Sequence, residues 1–146
     1  VADFINSEGQ HQADLYRKKF RPSRWIRDPY VMVATWAIVA DTQKEADLHA
    51  LPARMMFAHL VRGDLIPVPS VEKAQAWLAD NPTPSRGRRQ TLSTPDRVKA
   101  DLDAVAAHYG ANELMLVNIM PDHAARRRSY ELVAGAFGLA QMAEAA

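Results

Sequence analysis

There is no cysteine among the 146 residues. A disulfide scaffold, a thiolate metal site and a cysteine nucleophile are therefore excluded. No apolar run approaches the ~20 residues that cross a bilayer, so no membrane partner is expected. The N-terminal VADFINSEGQ lacks a basic stretch followed by an apolar core, so it does not read as a signal peptide. It also lacks an initiator Met, which leads us to expect a processed or partial product. Net charge is nearly absent: 18 Lys and Arg stand against 17 Asp and Glu, a formal +1. That balance argues against a general nucleic-acid binder. The histidines (His11, His49, His59, His108, His123) show no ligand spacing, so no metal is expected. Dinucleotide, P-loop and nucleophile-elbow patterns are missing too.

What is present is an ordinary globular composition, 48% hydrophobic and 24% charged, in a chain of one domain's length. A cytoplasmic protein is the expectation. Val1 to Asn6 reads as the end of a strand, followed by the turn cluster Asn6-Ser7-Glu8-Gly9. Gln12 to Phe20 reads as a helix stopped by Pro22, with Tyr16 and Phe20 on one inward face. Tyr30 to Ala40 is apolar almost throughout, as in a strand buried on both faces of a parallel sheet. Thr42 and Glu45 fit a capping box, opening a helix to about Arg62 that Pro52 should kink or split. Residues 64–92 are irregular. Val71 to Leu78 has the makings of a short helix, and Thr83 to Ser93 of a mobile loop.

Thr94 as N-cap with Pro95 predicts a helix start, carried on by Val98, Leu102 and Val105 and ended by Gly110. Glu113 to Met120 predicts a second buried strand. A last helix from about His123 to Phe137 has Tyr130, Val133 and Phe137 as its inner stripe. Strands alternating with amphipathic helices argue for an α/β fold with a parallel sheet.

Several segments in order carry a likeness: LYRKKFRPS (Leu15 to Ser23), the Pro-Tyr-Val-Met-Val strand, ADTQKEA (Ala40 to Ala46), the run Ser93 to Asn118, and DHAARRRSYELVAGAF (Asp122 to Phe137). Together they resemble the C-terminal part of the luciferase-like flavin-dependent monooxygenases, the bacterial luciferase superfamily. The resemblance implies part of a TIM barrel: the end of strand six, then units seven and eight with a variable insertion at about 64–92. A whole (β/α)₈ barrel takes about 250 residues, so the front half would lie elsewhere. It also implies reduced FMN, or the deazaflavin F420, and oxygenation of a small organic substrate by flavin and O₂. Where the family usually has glycine before the Thr-Pro helix start, this chain has Ser93.

In a barrel the site lies at the C-terminal ends of the strands. That places Asn6, Trp36 and Asn118 as candidate cofactor-binding residues, with Asp122 and His123 nearby; no catalytic residue is identified. The other reading of Trp36 is core, since aromatics mainly fill buried volume. The other reading of Asp122 is a helix N-cap, with His123 merely opening the helix. Arg17, Lys18, Lys19, Arg21, Arg24 and Arg27, interleaved with Tyr16, Phe20 and Trp25, are a possible single-strand stripe, although such patches are usually solvated faces. The rival to an enzyme is a non-catalytic truncated barrel module. Its open sheet edges would make it pair with itself or with a missing barrel half.

Overall fold

A computed structural model describes residues 1–5, 8–82 and 90–139. Asn6, the 83–89 part of the expected loop and the last seven residues lie outside them. The described elements are α1 (Gln10–Lys19), β1 (Met32–Val39), α2 (Gln43–Val61), α3 (Val71–Asp80), β2 (Gln90–Ser93), α4 (Val98–Tyr109), β3 (Glu113–Val117) and α5 (His123–Ala136).

The three strands form one parallel sheet in the order β2-β1-β3. β1 is central, and its apolar run suits that place. Its C-terminal half pairs with β2, Trp36 opposite Gln90 through Val39 opposite Ser93. Its N-terminal half pairs with β3, Met32 opposite Glu113 through Trp36 opposite Val117. The expected strand at Val1 to Asn6 reduces to one parallel bridge, Ala2 to Ala34. There Val1 C=O accepts from Ala34 N–H, and Asp3 N–H donates to Ala34 C=O.

Crossovers from β1 to β2 and from β2 to β3 run in opposite directions, so right-handed connections put their helices on opposite faces. The packing agrees. Trp36, Ile38 and Ala40 lie with Ala46, Ala50 and Ala53 of α2. Ala37 and Val39 lie with Val98 and Leu102 of α4 and Val133 of α5. Val31 and Val33 meet Ala13 of α1 and Val105 and Tyr109 of α4. The N-terminal half of the α2 face stays open: Met32 is 38% exposed and Met115 50%.

The structure corrects several expectations. Pro52 neither splits nor ends α2, which runs through it with Pro52 buried. One missing N–H costs one helical bond, and the flanking buried alanines hold the rod together. Gln90–Ser93 is strand rather than loop, because β1 extends past β3 and offers an edge there. Thr94 does not cap α4; its hydroxyl donates to Asp96, and the helix begins after a turn, with Arg97 at the N-cap. β3 is shorter than expected and is not buried on both faces. Tyr16 and Tyr130 are exposed, so the inner positions of α1 and α5 are Ala13, Ser129 and Val133. The Thr42–Glu45 capping box is present as expected.

Gly110 ends α4 in the left-handed region at φ 56°. The Arg17 guanidinium of α1 donates to the carbonyls of Tyr109 and Gly110, the latter at 2.7 Å. A Cβ on Gly110 would come within 2.9 Å of that guanidinium. Gly110→Ala therefore adds backbone strain and displaces Arg17. We expect a loss of about 1–2 kcal/mol in urea unfolding, and a smaller loss in an Arg17→Ala background.

Candidate functional site

In a parallel strand, one residue directs both its N–H and its C=O to the same side, and the next residue directs them to the other. On the β3 side of β1, Ala37 and Val39 lie beyond the last β3 partner, which faces Trp36. Two side chains take over the ladder there. Asn118, just past β3, donates from Nδ2 to Ala37 C=O at 3.3 Å and to Ser129 Oγ at 3.1 Å. Ser129 Oγ accepts from Val39 N–H at 2.9 Å, fully buried. Asn118 Oδ1 is buried without a hydrogen-bond partner.

On the other face Trp36 is completely buried, with Phe57 of α2 tilted against it at 5.7 Å between ring centroids. Phe4, Leu92, Ile119 and Met120 pack on the same cluster. The indole Nε1 has no hydrogen-bond partner. A buried indole N–H normally finds an acceptor, so this atom is costly to leave bare. Trp36 and Asn118 both lie near the C-terminal end of the sheet, but on different faces: the indole under α2, the amide against α5.

Next to them Arg128 of α5 grips Asp41 with two bonds, Nη2 to Oδ1 at 2.7 Å and Nε to Oδ2 at 3.3 Å. The hydrogen bond from Arg128 holds the Asp41 carboxyl below the usual carboxylate range. Asp122 caps α5 by accepting from Ala125 N–H at 2.8 Å, and His123 Nδ1 lies 2.9 Å from Arg126. These are helix-start contacts. Ser93, standing where glycine was the comparison, is fully buried and donates to Asp101 of α4 at 2.6 Å. It ties β2 to the helix that follows.

Two further clusters are invisible in a linear reading. Asp3 is fully buried, accepting from Tyr109 Oη at 2.5 Å and Thr35 Oγ1 at 3.3 Å. A lone carboxylate inside Val-Ala-Asp-Phe-Ile was the available signal. His59 on α2 pairs its Nδ1 with Asp64 at 2.7 Å and stacks on Trp77 of α3 at 4.9 Å. Among the described residues no group of three His, Cys, Asp or Glu side chains could hold a metal. None of the described helices is long and apolar enough to cross a membrane.

The chain matches no family model. It is similar to curated proteins. A luciferase-like monooxygenase of Escherichia coli K12 is 31% identical over 125 residues, 81% of this chain and 36% of that protein. The uncharacterized protein YceB of Bacillus subtilis is 32% identical over 139 residues, 92% of this chain and 42% of that protein. The crystal structure of apo-MsnO8 superposes with a TM-score of 0.83 at 28% identity, over 94% of this chain and 44% of that one. These likenesses support the luciferase-like superfamily. The chain spans about two fifths of the relatives' length.

Two outcomes follow for the strand end. Ser129→Ala strips the buried Val39 N–H of its acceptor and lowers stability by about 1–3 kcal/mol in urea unfolding. A carboxylate with a depressed pKa stabilises the fold above the ordinary carboxylate pKa and stops doing so as pH falls through its folded value. The urea midpoint of the wild type thus exceeds that of Arg128→Gln at pH 7. The gap closes as pH falls below the ordinary aspartate value and through the lower folded value of Asp41.

Proposed function

We propose that this chain is the C-terminal part of a luciferase-like barrel, with the insertion at 64–92, and that it serves a flavin-dependent monooxygenase. The observation that carries this is the match to a luciferase-like monooxygenase across 81% of the chain. The sheet supports it. The Ala2 segment, β1 and β3 lie side by side, parallel and in sequence order, as neighbouring barrel strands do. β2 then belongs to the insertion, pairing with the length of β1 that the Ala2 segment leaves free.

The cofactor would be reduced FMN, which supplies the oxygen chemistry, or the deazaflavin F420, which supplies a hydride instead; in either case the protein positions it and excludes water. The described residues do not make that site by themselves. Trp36 Nε1 and Asn118 Oδ1 are unpartnered buried atoms of the kind a bound group satisfies, but they lie on different faces. Phe57 also packs against the Trp36 ring. In the assembled protein Trp36 lines the pocket wall, Asn118 braces the strand end, and Asn6 is the third candidate contact. Asn118 acts mainly as a positioning residue, because its amide protons already serve β1 and Ser129.

A second reading has its own observation. The open face at Met32 and Met115, together with the outer edge of β3, which no strand among the described residues pairs with, fits a module that pairs with a barrel half or a second copy. On either reading, the chain needs its counterpart for chemistry. The isolated chain is expected to leave FMN fluorescence unquenched at about tens of micromolar, a concentration that would reveal a micromolar Kd. Co-expressed with the N-terminal portion of the Escherichia coli relative, it forms a complex that binds FMN or F420, and Trp36→Leu weakens that binding. A complex that binds neither flavin ends the monooxygenase reading. A stable monomer with no uptake of the N-terminal portion ends the pairing one.

A further inference from the structure

A basic and aromatic surface sits far from the C-terminal strand ends, on α1 and the loop that leads into the N-terminal end of β1. Residues 15–27 hold six cations (Arg17, Lys18, Lys19, Arg21, Arg24 and Arg27) and no acid. Arg17 is occupied by Asp14 and by the end of α4. Arg24 lies over the Trp25 ring at 4.3 Å. Lys18, Lys19, Arg21 and Arg27 have no carboxylate partner among the described residues.

Beneath these cations α1 carries a groove of about 490 Å³, lined by Gln12, Leu15, Tyr16, Lys19, Phe20 and Arg21. Its apolar walls are in water: Leu15 and Tyr16 are each 41% exposed. The walls are held in place. Tyr16 and Phe20 meet edge to face at 5.7 Å, and the Tyr16 hydroxyl accepts from Tyr30 N–H at 3.4 Å. Next to the groove Trp25 is 78% exposed, on a turn fixed by Ser23 Oγ, which accepts from Trp25 and Ile26 N–H.

We propose that this groove docks an acidic protein segment bearing one large apolar side chain. The apolar residue enters between Leu15, Tyr16 and Phe20, and flanking carboxylates meet Lys19 and Arg21 at the rim. Charge complementarity selects an anionic occupant. Shape selects among anionic occupants. A bilayer takes up an apolar face that lies in its plane, whereas here the apolar residues share one groove with Lys19 and Arg21. A single strand needs open ring faces in succession. Here Arg24 covers one face of Trp25, and Tyr16 and Phe20 turn edge to face.

The test is fluorescence anisotropy of a labelled peptide with one phenylalanine between two runs of four glutamates, read against the whole chain. Binding is expected to weaken in high salt. Replacing the phenylalanine by serine should cost about tenfold in affinity or more, the worth of one good apolar anchor. The double variant Lys19→Glu, Arg21→Glu should lose binding to a similar degree with an unchanged thermal melt. Tyr16→Leu, which keeps an apolar wall, should retain it. Equal affinity for the phenylalanine and serine peptides, no effect of the charge reversals, or tighter binding of oligothymidine or phosphatidylglycerol vesicles would each overturn the proposal.

Discussion

Everything in this structure depends on satisfying the backbone of β1. The strand is eight residues long, and neither neighbour matches its length. β3 covers its first part on one edge, and β2 its last part on the other. Each edge therefore has a stretch of polar groups that no strand serves, and buried backbone groups cannot be left bare. On one edge the Ala2 segment fills the gap with main-chain bonds. On the other, Asn118 and Ser129 fill it with side chains. At the start of the strand Asn112 accepts from Val31 N–H and donates back to its carbonyl. The positions of α5, of the N-terminal segment and of the β3 entry all follow from serving one strand.

That arrangement explains what a linear reading reaches. The capping box at Thr42 and Glu45, the Asp122 cap and the Gly110 stop are local events, decided by residues three or four apart, and they are plain in the sequence. β1 is plain for another reason: only a central strand tolerates so continuous an apolar run. β2 is not. Gln-Thr-Leu-Ser has little of a strand about it, and it pairs because β1 leaves an edge free 54 positions earlier at Trp36. Ser129 is equally silent, since the N–H it serves belongs to Val39, 90 residues away. Pro52 misleads because helix rules count hydrogen bonds, whereas burial of Ala50 and Ala53 against the sheet decides whether α2 continues.

The candidate site divides the same way. Trp36 is a natural choice in the sequence, an aromatic late in the central strand. Its enclosure by Phe57 depends on which face α2 takes, and that face depends on the direction of the crossover to β2. The sequence places Asn118 in the last part of a strand; the structure puts it just past β3, with its amide protons engaged in holding that strand end. The Asp3, Thr35 and Tyr109 cluster joins residues 106 positions apart and fastens the N-terminal segment to α4. The likeness to luciferase-like proteins supports a superfamily, whereas the hydrogen bonds show which of these polar residues are already committed to the fold.

The pairing of β1 with β3 has a consequence for the order of events at the ribosome. Met32 meets Glu113, so the apolar core strand has no partner on that edge until 81 more residues have been made. At ~5–20 residues per second this is roughly 4–16 s. Throughout that interval one of the most aggregation-prone stretches of the chain waits with an open edge. α2 is complete sooner and covers Trp36, Ile38 and Ala40 on one face. The long capped helix directly after β1 thus acts as an internal shield during synthesis, before it is a layer of the finished fold.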